Sequence, residues 1–270
     1  MKKLIIFSDL DGTLLDHNTY DWKPASPALE SLKENKFPLI LNSSKTCSEI
    51  ELLRNDLKNI DPYICENGSV VHTNQELKSI TKSNTDSVHF NKPYSYIKEV
   101  LNKIKHTHNF NMLGFNDMDL KVLMKLTGLS ENSAIAARKR EATEPLLWND
   151  SDESLHTFTD LLSHYGLILT KGGRFYHVSS PANKGASIKW LINQYQKLQP
   201  ETQLVTVGLG DSFNDISMLE LVDYPILIKN THIKKPDMSH IKNLIESKLS
   251  GPDGWNVAVL NIIKTIKGTK

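Results

Sequence analysis

The chain has 270 residues, which is more than one typical domain, so one domain with a sizeable insertion is the simplest expectation. Its 39% hydrophobic and 23% charged residues are typical of a globular protein and exclude a largely disordered one. The formal net charge of +1 gives no reason to expect a nucleic acid or an anionic membrane as partner, and no apolar run is long enough to cross a membrane.

The first element is a predicted buried strand over residues 4–8, followed by a turn that carries two carboxylates, Asp9 and Asp11. In open α/β sheets, ligands bind at the carboxyl ends of the strands, where this pair lies. Residues two apart in an extended segment point the same way, so both acids can face one small volume. A divalent cation, or protonation of one acid, would relieve their repulsion. Two ordinary surface acids at a strand end are the alternative.

The next part of the chain alternates between strands and helices. Strands that alternate with helices indicate a parallel sheet, and three successive strands then deliver polar turns to the same edge. The predicted helices cover 26–35 and the residues around 50–57, and the further predicted strands cover 37–41 and 63–65.

The pattern changes at a polar stretch over 82–86, and an α+β block with an antiparallel sheet follows. We therefore predict an inserted domain over 87–180. Its last two strands join through a glycine-rich turn at 171–174. The predicted helices of this block cover 93–105, 117–126 and 151–165, with one more beginning at Ser130, and its predicted strands cover 145–148, 167–170 and 175–178.

The parallel pattern then resumes, with a helix over 186–198 and strands over 204–209 and 224–228. We predict an α/β fold: a Rossmann-like, doubly wound parallel sheet built from 1–86 and 181–270, carrying the inserted α+β cap domain.

The two cysteines, Cys47 and Cys65, are predicted to be reduced thiols in or near the core of a cytoplasmic protein. No Cys-x-x-Cys motif or activating pattern surrounds them. The start of the chain leads into a strand and not into a signal peptide, which agrees with a cytoplasmic location.

Four groups of polar residues fall at strand ends or helix starts, far apart along the chain. In this order they resemble the four motifs of the haloacid dehalogenase-like superfamily of phosphatases. The groups are the Asp-x-Asp-Gly-Thr turn with Asp9 and Asp11, the turn with Ser43, the lysine Lys184, and the Gly-Asp-x-x-Asn-Asp turn with Asp211, Asn214 and Asp215.

The resemblance implies hydrolysis of a phosphate ester through an aspartyl-phosphate. A carboxylate nucleophile, here Asp9, splits the reaction into two easier steps. The resemblance assigns Asp11 as the general acid for the leaving oxygen and then as the base for the attacking water. For phosphoryl transfer, the remaining residues of the site mainly need to position the substrate and neutralise its charge.

The implied cofactor is Mg²⁺, which prefers oxygen ligands. The resemblance assigns its protein ligands to the Asp9 carboxylate, the backbone carbonyl of Asp11 and the Asp211 carboxylate. Asp215 is either a further carboxylate near the metal or a residue that holds it through water.

Ser43, Lys184 and Asn214 are the predicted phosphate-binding residues. Ser43 would bind phosphoryl oxygens near a helix N-terminus, and an ordinary N-cap serine is the alternative. Lys184 would supply a point charge to the nucleophile and the phosphate. Asn214 would orient Lys184 or a phosphate oxygen.

A narrower resemblance rests on a departure from the general pattern. The second motif is commonly Thr-Gly-Arg, whereas residues 42–46 read Asn-Ser-Ser-Lys-Thr. This segment, and others in both the core and the cap, resemble the mannosyl-3-phosphoglycerate phosphatases. The resemblance implies hydrolysis of mannosyl-3-phosphoglycerate to mannosylglycerate and phosphate, in a compatible-solute pathway. The further segments are Glu-Asn-Gly at 66–68, Thr-Gly-Leu at 127–129, Arg-Glu-Ala-Thr-Glu-Pro at 140–145 and Gly-Arg-Phe-Tyr-His at 173–177.

A substrate of that kind adds a carboxylate and a neutral hexose to the phosphate. Arg140 and Arg174 are the predicted partners of the carboxylate, because a guanidinium matches its fork geometry. His177 is predicted to contact sugar hydroxyls, and Lys45 either touches substrate or is solvated. A surface charge or a satisfied strand histidine is the alternative at these positions. A mobile cap, hinged near Asp86 and at 181–183, would shield the aspartyl-phosphate.

Other functions remain open at this stage. The enzyme can act on another small sugar phosphate, such as glucosyl-3-phosphoglycerate, a hexose phosphate or sucrose phosphate. A transferase or mutase would pass the same phosphoryl group to a sugar hydroxyl. A phosphoryl-receiving switch or binding protein also uses strand-end aspartates, but it lacks the cap and the second acid. The sequence leaves the oligomeric state undetermined.

Overall fold

The computed structural model describes residues 2–81, 85–172, 174–181 and 184–268. Residues 82–84 of the polar stretch, Gly173 of the predicted turn, and residues 182 and 183 of the predicted hinge lie outside these ranges. Within them, no helix is both long enough and apolar enough to span a membrane.

Strands and helices alternate along most of the chain. The strands are β1 (Lys2–Ser8), β2 (Leu39–Asn42), β3 (Tyr63–Cys65), β4 (Val70–His72), β5 (Ser87–His89), β6 (Met112–Gly114), β7 (Thr143–Trp148), β8 (Ile168–Gly172), β9 (Phe175–Ser179), β10 (Gln203–Gly210), β11 (Tyr224–Lys229) and β12 (Ile245–Ser250). The helices are α1 (Ser26–Glu34), α2 (Cys47–Leu57), α3 (Gln75–Thr81), α4 (Tyr94–Thr107), α5 (Leu120–Thr127), α6 (Glu131–Arg138), α7 (Asp152–His164), α8 (Lys184–Leu198), α9 (Ile216–Leu219) and α10 (Gly251–Gly268).

Within the described ranges, eight strands form one sheet, in the order β12-β11-β10-β1-β2-β3-β4-β5. The strand β1 lies inside this sheet and pairs in parallel with β10 on one side and β2 on the other. Parallel pairing continues outward to β11, β12 and β3. The predicted α/β class with a parallel core sheet is confirmed.

Both faces of this sheet are covered by apolar packing, because alternate residues of a strand point to opposite faces. Leu4 and Ile6 of β1 belong to a buried cluster that includes Trp255 of α10. Ile5 and Phe7 belong to a second buried cluster with residues of α8. A strand buried on both sides reads as the continuous apolar run seen in the sequence.

The far edge of the sheet is antiparallel, which the sequence did not predict. The strand β4 pairs antiparallel with β3, and β5 pairs antiparallel with β4. The strand β5 falls at the start of the range predicted as the insertion, yet it belongs to the first sheet. Each of these two strands has only 3 residues, too few to show a periodicity.

The described part of the segment between β5 and α8 forms a second sheet of four antiparallel strands, in the order β6-β7-β9-β8. It has apolar clusters of its own, one around Phe158 of α7 and one around Leu123 of α5. A separate sheet with its own core is what an inserted domain requires. The division of the chain into two domains stays a prediction.

The cysteines Cys47 and Cys65 are joined by a disulfide bond, so the prediction of two reduced thiols is wrong for this structure. Cys47 opens α2 and Cys65 ends β3, and their Cα atoms lie 5.3 Å apart. The sequence does not reveal this contact, because it depends on the pairing of β2 with β3 and not on the separation of 18 residues.

Candidate active site

Five polar turns meet at the carboxyl edge of the first sheet. Asp9 follows β1, Ser43 follows β2, Glu66 follows β3, Asp211 follows β10 and Asn230 follows β11. Parallel strands carry their carboxyl ends to one edge, so residues far apart in the chain come together there.

The Lys184 side chain, at the start of α8, is fully buried among the acids of this edge. Its Nζ donates hydrogen bonds to Asp9 Oδ1 and Asp215 Oδ1, each at 2.6 Å. Burial alone would lower the pKa of Lys184, but the Asp215 and Asp9 carboxylates outweigh burial and raise it well above its usual value. Lys184 therefore stays charged and holds two of the predicted acids together.

Asp9, Asp211 and Asp215 are all buried, and one carboxylate oxygen of each lies within 4.8 Å of the others. Burial raises the pKa of Asp9 well above its usual range, and the charge of Asp215 raises it further. Burial also raises the pKa of Asp211 to about 6. Three acids around one lysine leave negative charge in a buried place, which a divalent cation with oxygen ligands would neutralise. This donor set fits Mg²⁺.

The two acids that follow β10 are held in different ways. Asp215 Oδ2 accepts hydrogen bonds from the backbone N–H groups of Asp211 and Ser212 at 3.0 and 3.1 Å, so both of its oxygens have donors. Asp211 Oδ2 accepts from the amide of Asn230 at 2.5 Å, and Oδ1 accepts from the Thr13 hydroxyl at 3.4 Å. Both oxygens of Asp215 already accept hydrogen bonds, which favours the role in which Asp215 holds the metal through water over direct metal ligation.

Gly12 lets the turn after β1 approach the turn after β10. Its φ of +78° lies in the left-handed region that favours glycine. A Cβ at this position would lie 2.6 Å from both Asp211 Oδ2 and Asn230 Nδ2. Any larger residue would displace these two side chains.

Asp11 lies beside the three acids, and its side chain turns to Lys45. The Asp11 Oδ2 and Lys45 Nζ atoms are 2.9 Å apart, while Asp11 Oδ1 is buried with no hydrogen-bond partner in the described ranges. Burial would lower the pKa of Lys45, but the charges of Asp11 and Glu49 outweigh it and raise that pKa. The structure thus brings Lys45 to the predicted general acid.

Ser43 and Asn214, two of the predicted phosphate-binding residues, line a cavity of about 190 Å³ together with Asp9, Asp11 and Asp211. Ser43 is buried there, and its Oγ accepts the Lys45 N–H at 3.2 Å. The N-cap of α2 is Thr46, so the reading of Ser43 as an ordinary cap does not hold. Asn214 lines the same cavity and donates to Asn67 Oδ1 at 3.1 Å, while Lys184 is held by the acids described above.

A larger cleft, of about 770 Å³, lies next to this cavity. Lys184, at the start of α8, and Asn214, in the turn after β10, line it, as do Thr170, Lys171 and His177 of the second sheet. The cleft is therefore bounded by residues at the carboxyl edge of the first sheet and by residues of the second sheet. Lys171 belongs to the predicted glycine-rich turn but was not among the predicted substrate-binding residues.

The side chains of His177 and Arg140 are electrostatically linked. Burial lowers the pKa of His177 to about 4, and the charge of Arg140 contributes to the shift, so the imidazole is neutral at physiological pH. The buried Arg140 side chain donates from Nε to Ala137 O at 2.9 Å and from Nη1 to Ser44 O at 3.4 Å. Arg140 therefore reaches the turn after β2 from the second sheet's side.

Arg174 is engaged elsewhere. Its guanidinium donates to the carbonyl oxygens of Leu126 at 2.6 Å and Thr127 at 3.5 Å, in the last turn of α5. A cation at that position complements the helix dipole. The structure does not bring Arg174 together with the other predicted residues, and its contact with a substrate carboxylate stays a prediction.

Glu66 is a buried residue whose role the sequence analysis missed. Its carboxylate accepts hydrogen bonds from the N–H groups of Glu141 and Ala142, at 2.7 and 3.1 Å, and from the Thr143 hydroxyl at 2.6 Å. It thereby ties the end of β3 to the segment that enters β7. The role of Asn230 was also missed. Glu66 and Asn230 both follow predicted strands, and this position is the sequence feature that could have identified them as site residues.

A family model described as haloacid dehalogenase-like hydrolase matches residues 6–237. The chain belongs to the haloacid dehalogenase-like hydrolases, as the four motifs predicted. It is 37% identical over 272 residues to a glucosyl-3-phosphoglycerate/mannosyl-3-phosphoglycerate phosphatase of Methanococcoides burtonii, with 97% of each chain covered. It is 34% identical over 270 residues to a protein of the same name from Persephonella marina, with 98% of each chain covered.

Solved structures of low sequence identity share the fold. A protein of Thermoplasma acidophilum aligns with a TM-score of 0.69 at 16% identity, over 97% of this chain and 99% of its own. The sucrose-phosphatase of Synechocystis, solved with sucrose and phosphate, aligns with a TM-score of 0.60 at 15% identity, also over 97% and 99%. At such identities the likeness concerns the fold alone.

Proposed function

We propose that the protein is a Mg²⁺-dependent phosphatase that hydrolyses mannosyl-3-phosphoglycerate to mannosylglycerate and phosphate, with glucosyl-3-phosphoglycerate as a second substrate. The observation that carries the chemistry is the buried contact of Lys184 with Asp9 and Asp215, beside Asp211. The substrate class is supported by the full-length similarity to two phosphatases whose names include both esters. Such a substrate is a small sugar phosphate, and we propose a cytoplasmic location.

In the first step an Asp9 carboxylate oxygen attacks phosphorus, and the bond from phosphorus to the glycerate oxygen breaks. Asp11 gives its proton to that oxygen, and Lys45 holds the Asp11 carboxyl in place through their 2.9 Å contact. The product is a phosphoryl group carried by Asp9. Lys184, which contacts Asp9 directly, offsets the negative charge at the nucleophile.

In the second step water attacks phosphorus, Asp11 accepts the water proton, and the bond from phosphorus to Asp9 breaks. Phosphate leaves and both acids return to their starting state. Ser43 and Asn214 face the same cavity as Asp9, and we infer that they hold the phosphoryl oxygens.

The residues that would hold Mg²⁺ are Asp9, Asp211 and the backbone carbonyl of Asp11. Asp215 holds Lys184 and the N–H groups of its own turn. When bound, the ion supplies positive charge against the phosphoryl oxygens. Burial raises the pKa values of Asp9 and Asp211, and a bound cation would offset this effect by stabilising their charged forms.

The sugar and the glycerate carboxylate would occupy the 770 Å³ cleft. His177 lines it with a neutral imidazole, which can exchange hydrogen bonds with sugar hydroxyls. Lys171 also lines it and is a stronger candidate for the carboxylate than Arg174, whose guanidinium is bound to the end of α5. Arg140 would act on the site indirectly, by holding the turn at Ser44 in place through its hydrogen bond to the Ser44 carbonyl.

The test is phosphate release with Mg²⁺ from a panel of esters: mannosyl- and glucosyl-3-phosphoglycerate, mannose and glucose phosphates, and sucrose phosphate. We expect strong preference for the two phosphoglycerate glycosides. Asp9→Asn should remove the activity, whereas Asp56→Asn, at an exposed position of α2, should retain it. Equal release from simple hexose phosphates would contradict the substrate proposal, and no release from any ester would contradict the phosphatase itself.

A further inference from the structure

A second cluster of metal-ligating side chains lies outside the catalytic cleft. The sulfur atoms of Cys47 and Cys65 and a ring nitrogen of His72 are all within 4.8 Å of one another. The cysteines are 4% and 0% exposed. The proposed phosphatase mechanism uses none of the three residues.

The His72 imidazole has a buried nitrogen that lacks a partner. Its Nε2 is shielded from solvent and makes no hydrogen bond in the described part of the chain. A native structure rarely leaves a buried polar atom unpaired unless a ligand or water completes it. The Tyr63 ring stacks on the imidazole, with centroids 4.8 Å apart and planes 11° from parallel, which fixes the ring orientation.

The Glu141 carboxylate lies close to this unpaired nitrogen of His72. Its Oε1 lies 3.6 Å from His72 Nε2, beyond hydrogen-bond distance. Two nitrogen or oxygen atoms on one tetrahedral zinc ion are about 3.3 Å apart. A small decrease in the distance between Glu141 Oε1 and His72 Nε2 would therefore let both atoms bind one ion. An open depression of about 520 Å³, lined by Cys47, His72 and Glu141 among others, gives access from solvent.

We propose that Cys47, Cys65, His72 and Glu141 bind Zn²⁺ when the two cysteines are reduced. Two thiolates, one imidazole and one carboxylate form a four-coordinate donor set that suits this ion. Hard cations such as Mg²⁺ prefer oxygen ligands, so this site and the aspartate site would select different metals.

The disulfide must open first. A dithiol reductant supplies two electrons, the sulfur–sulfur bond breaks, each sulfur takes one proton, and the reductant becomes a disulfide. Zn²⁺ then displaces the two thiol protons as the thiolates bind it. The Cα separation of 5.3 Å suits both states, since side-chain rotation can separate the sulfurs to the roughly 3.8 Å of two thiolates on one zinc ion. Cytoplasmic thiols are kept reduced, which favours the metal-binding state at the proposed location.

The ion would join the two sheets near the catalytic edge. Cys65 ends β3 directly before Glu66, and the Glu141 N–H donates to Glu66 at 2.7 Å. Cys47 opens α2, directly after the turn that holds Ser43. A metal held by these residues would therefore hold the segment that enters β7 against the first sheet.

Co²⁺ is the probe for this site, because thiolate ligands give it a near-ultraviolet charge-transfer band and tetrahedral geometry gives visible bands. The full chain is reduced with a phosphine and titrated with Co²⁺. We expect both sets of bands to saturate at one ion per chain and to disappear when Zn²⁺ is added. The chain has only 2 cysteines, so a thiolate band reports on this pair alone.

Variants test each ligand. Cys47→Ser with Cys65→Ser should abolish the charge-transfer band, and His72→Ala and Glu141→Gln should each weaken Co²⁺ binding at least about tenfold. His156→Ala, at an exposed position of α7, is the matched histidine control and should bind like the wild type. Asp211→Asn should keep the band while losing phosphatase activity, which separates this proposal from the catalytic one.

A reduced wild-type chain without a thiolate band, shown by circular dichroism to be folded, would overturn the proposal. Equal Co²⁺ affinity in His72→Ala and the wild type would overturn it as well. The oxidised wild type serves as an internal control that requires no substitution, and it should show no charge-transfer band.

Discussion

The Nζ atom of Lys184 lies 2.6 Å from Asp215 Oδ1, and both side chains are completely buried. Each charge has been taken out of water, so each depends on its partner for stabilisation. Removal of one member of such a pair leaves an uncompensated buried charge, which typically costs about 3–5 kcal/mol.

Lys184→Met should therefore lower the free energy of unfolding by about 3 kcal/mol and reduce phosphate release at least about a hundredfold. Adding Asp215→Asn should recover part of the stability and none of the activity. Urea denaturation and phosphate release measure the two effects. Lys189→Met, at an exposed position of the same helix, is the control. A Lys184→Met chain as stable as the wild type would show that the charge of Lys184 does not stabilise the buried carboxylate of Asp215.

Gly12→Ala tests the close approach of the two aspartate turns. We expect at least a tenfold loss of phosphatase activity, because a methyl group would lie 2.6 Å from Asp211 Oδ2. Gly128 is a matched control: its φ of +77° is nearly the same as the +78° of Gly12, but a Cβ there meets nothing within 4 Å. Gly128→Ala should lose only about 1 kcal/mol of stability, from backbone strain. Equal activity loss in both variants would assign the effect to backbone strain and not to the proposed metal site.

Thr143→Val tests the link that Glu66 makes to the segment entering β7. Valine keeps the shape and removes the hydroxyl that donates to Glu66 at 2.6 Å. We expect a loss of about 1–2 kcal/mol in unfolding free energy and a higher KM for the sugar phosphoglycerate. The KM for p-nitrophenyl phosphate, a smaller ester, should change less. Thr159→Val, at an exposed position of α7, should change neither; a uniform change in both KM values would contradict a role in substrate enclosure.

His177 should make stability depend on pH. Burial lowers its pKa from 6.5 to about 4, so between these values the unfolded chain binds a proton that the folded chain does not. The free energy of unfolding should therefore fall as pH drops through this window, by up to about 3 kcal/mol, and be fully present above it. His177→Gln should flatten that part of the urea-denaturation profile against pH, whereas His156→Gln should not. An unchanged slope in His177→Gln would show that other groups cause it.

The elements that were predicted correctly are those with local signals. The apolar run of β1, the strand ends that carry Asp9 and Asp211, and the helix start at Ser130 each depend on neighbouring residues only. The antiparallel strands β4 and β5 and the late strand β12 were missed, since they are short or have little apolar periodicity.

The sequence by itself determined the class of fold and the meeting of the strand-end turns that carry Asp9 and Asp211, because parallel strands bring their ends to one edge whatever lies between them. The superfamily and the place of Lys184 among these acids were implied by the resemblance of the four motifs. Only the tertiary structure decided the pairing of Cys47 with Cys65, the contacts of Glu66 and the engagement of Arg174 with α5. Each of these depends on which strands become neighbours and how the second sheet packs on the first. Those arrangements follow from long-range burial, which no local pattern in the chain encodes.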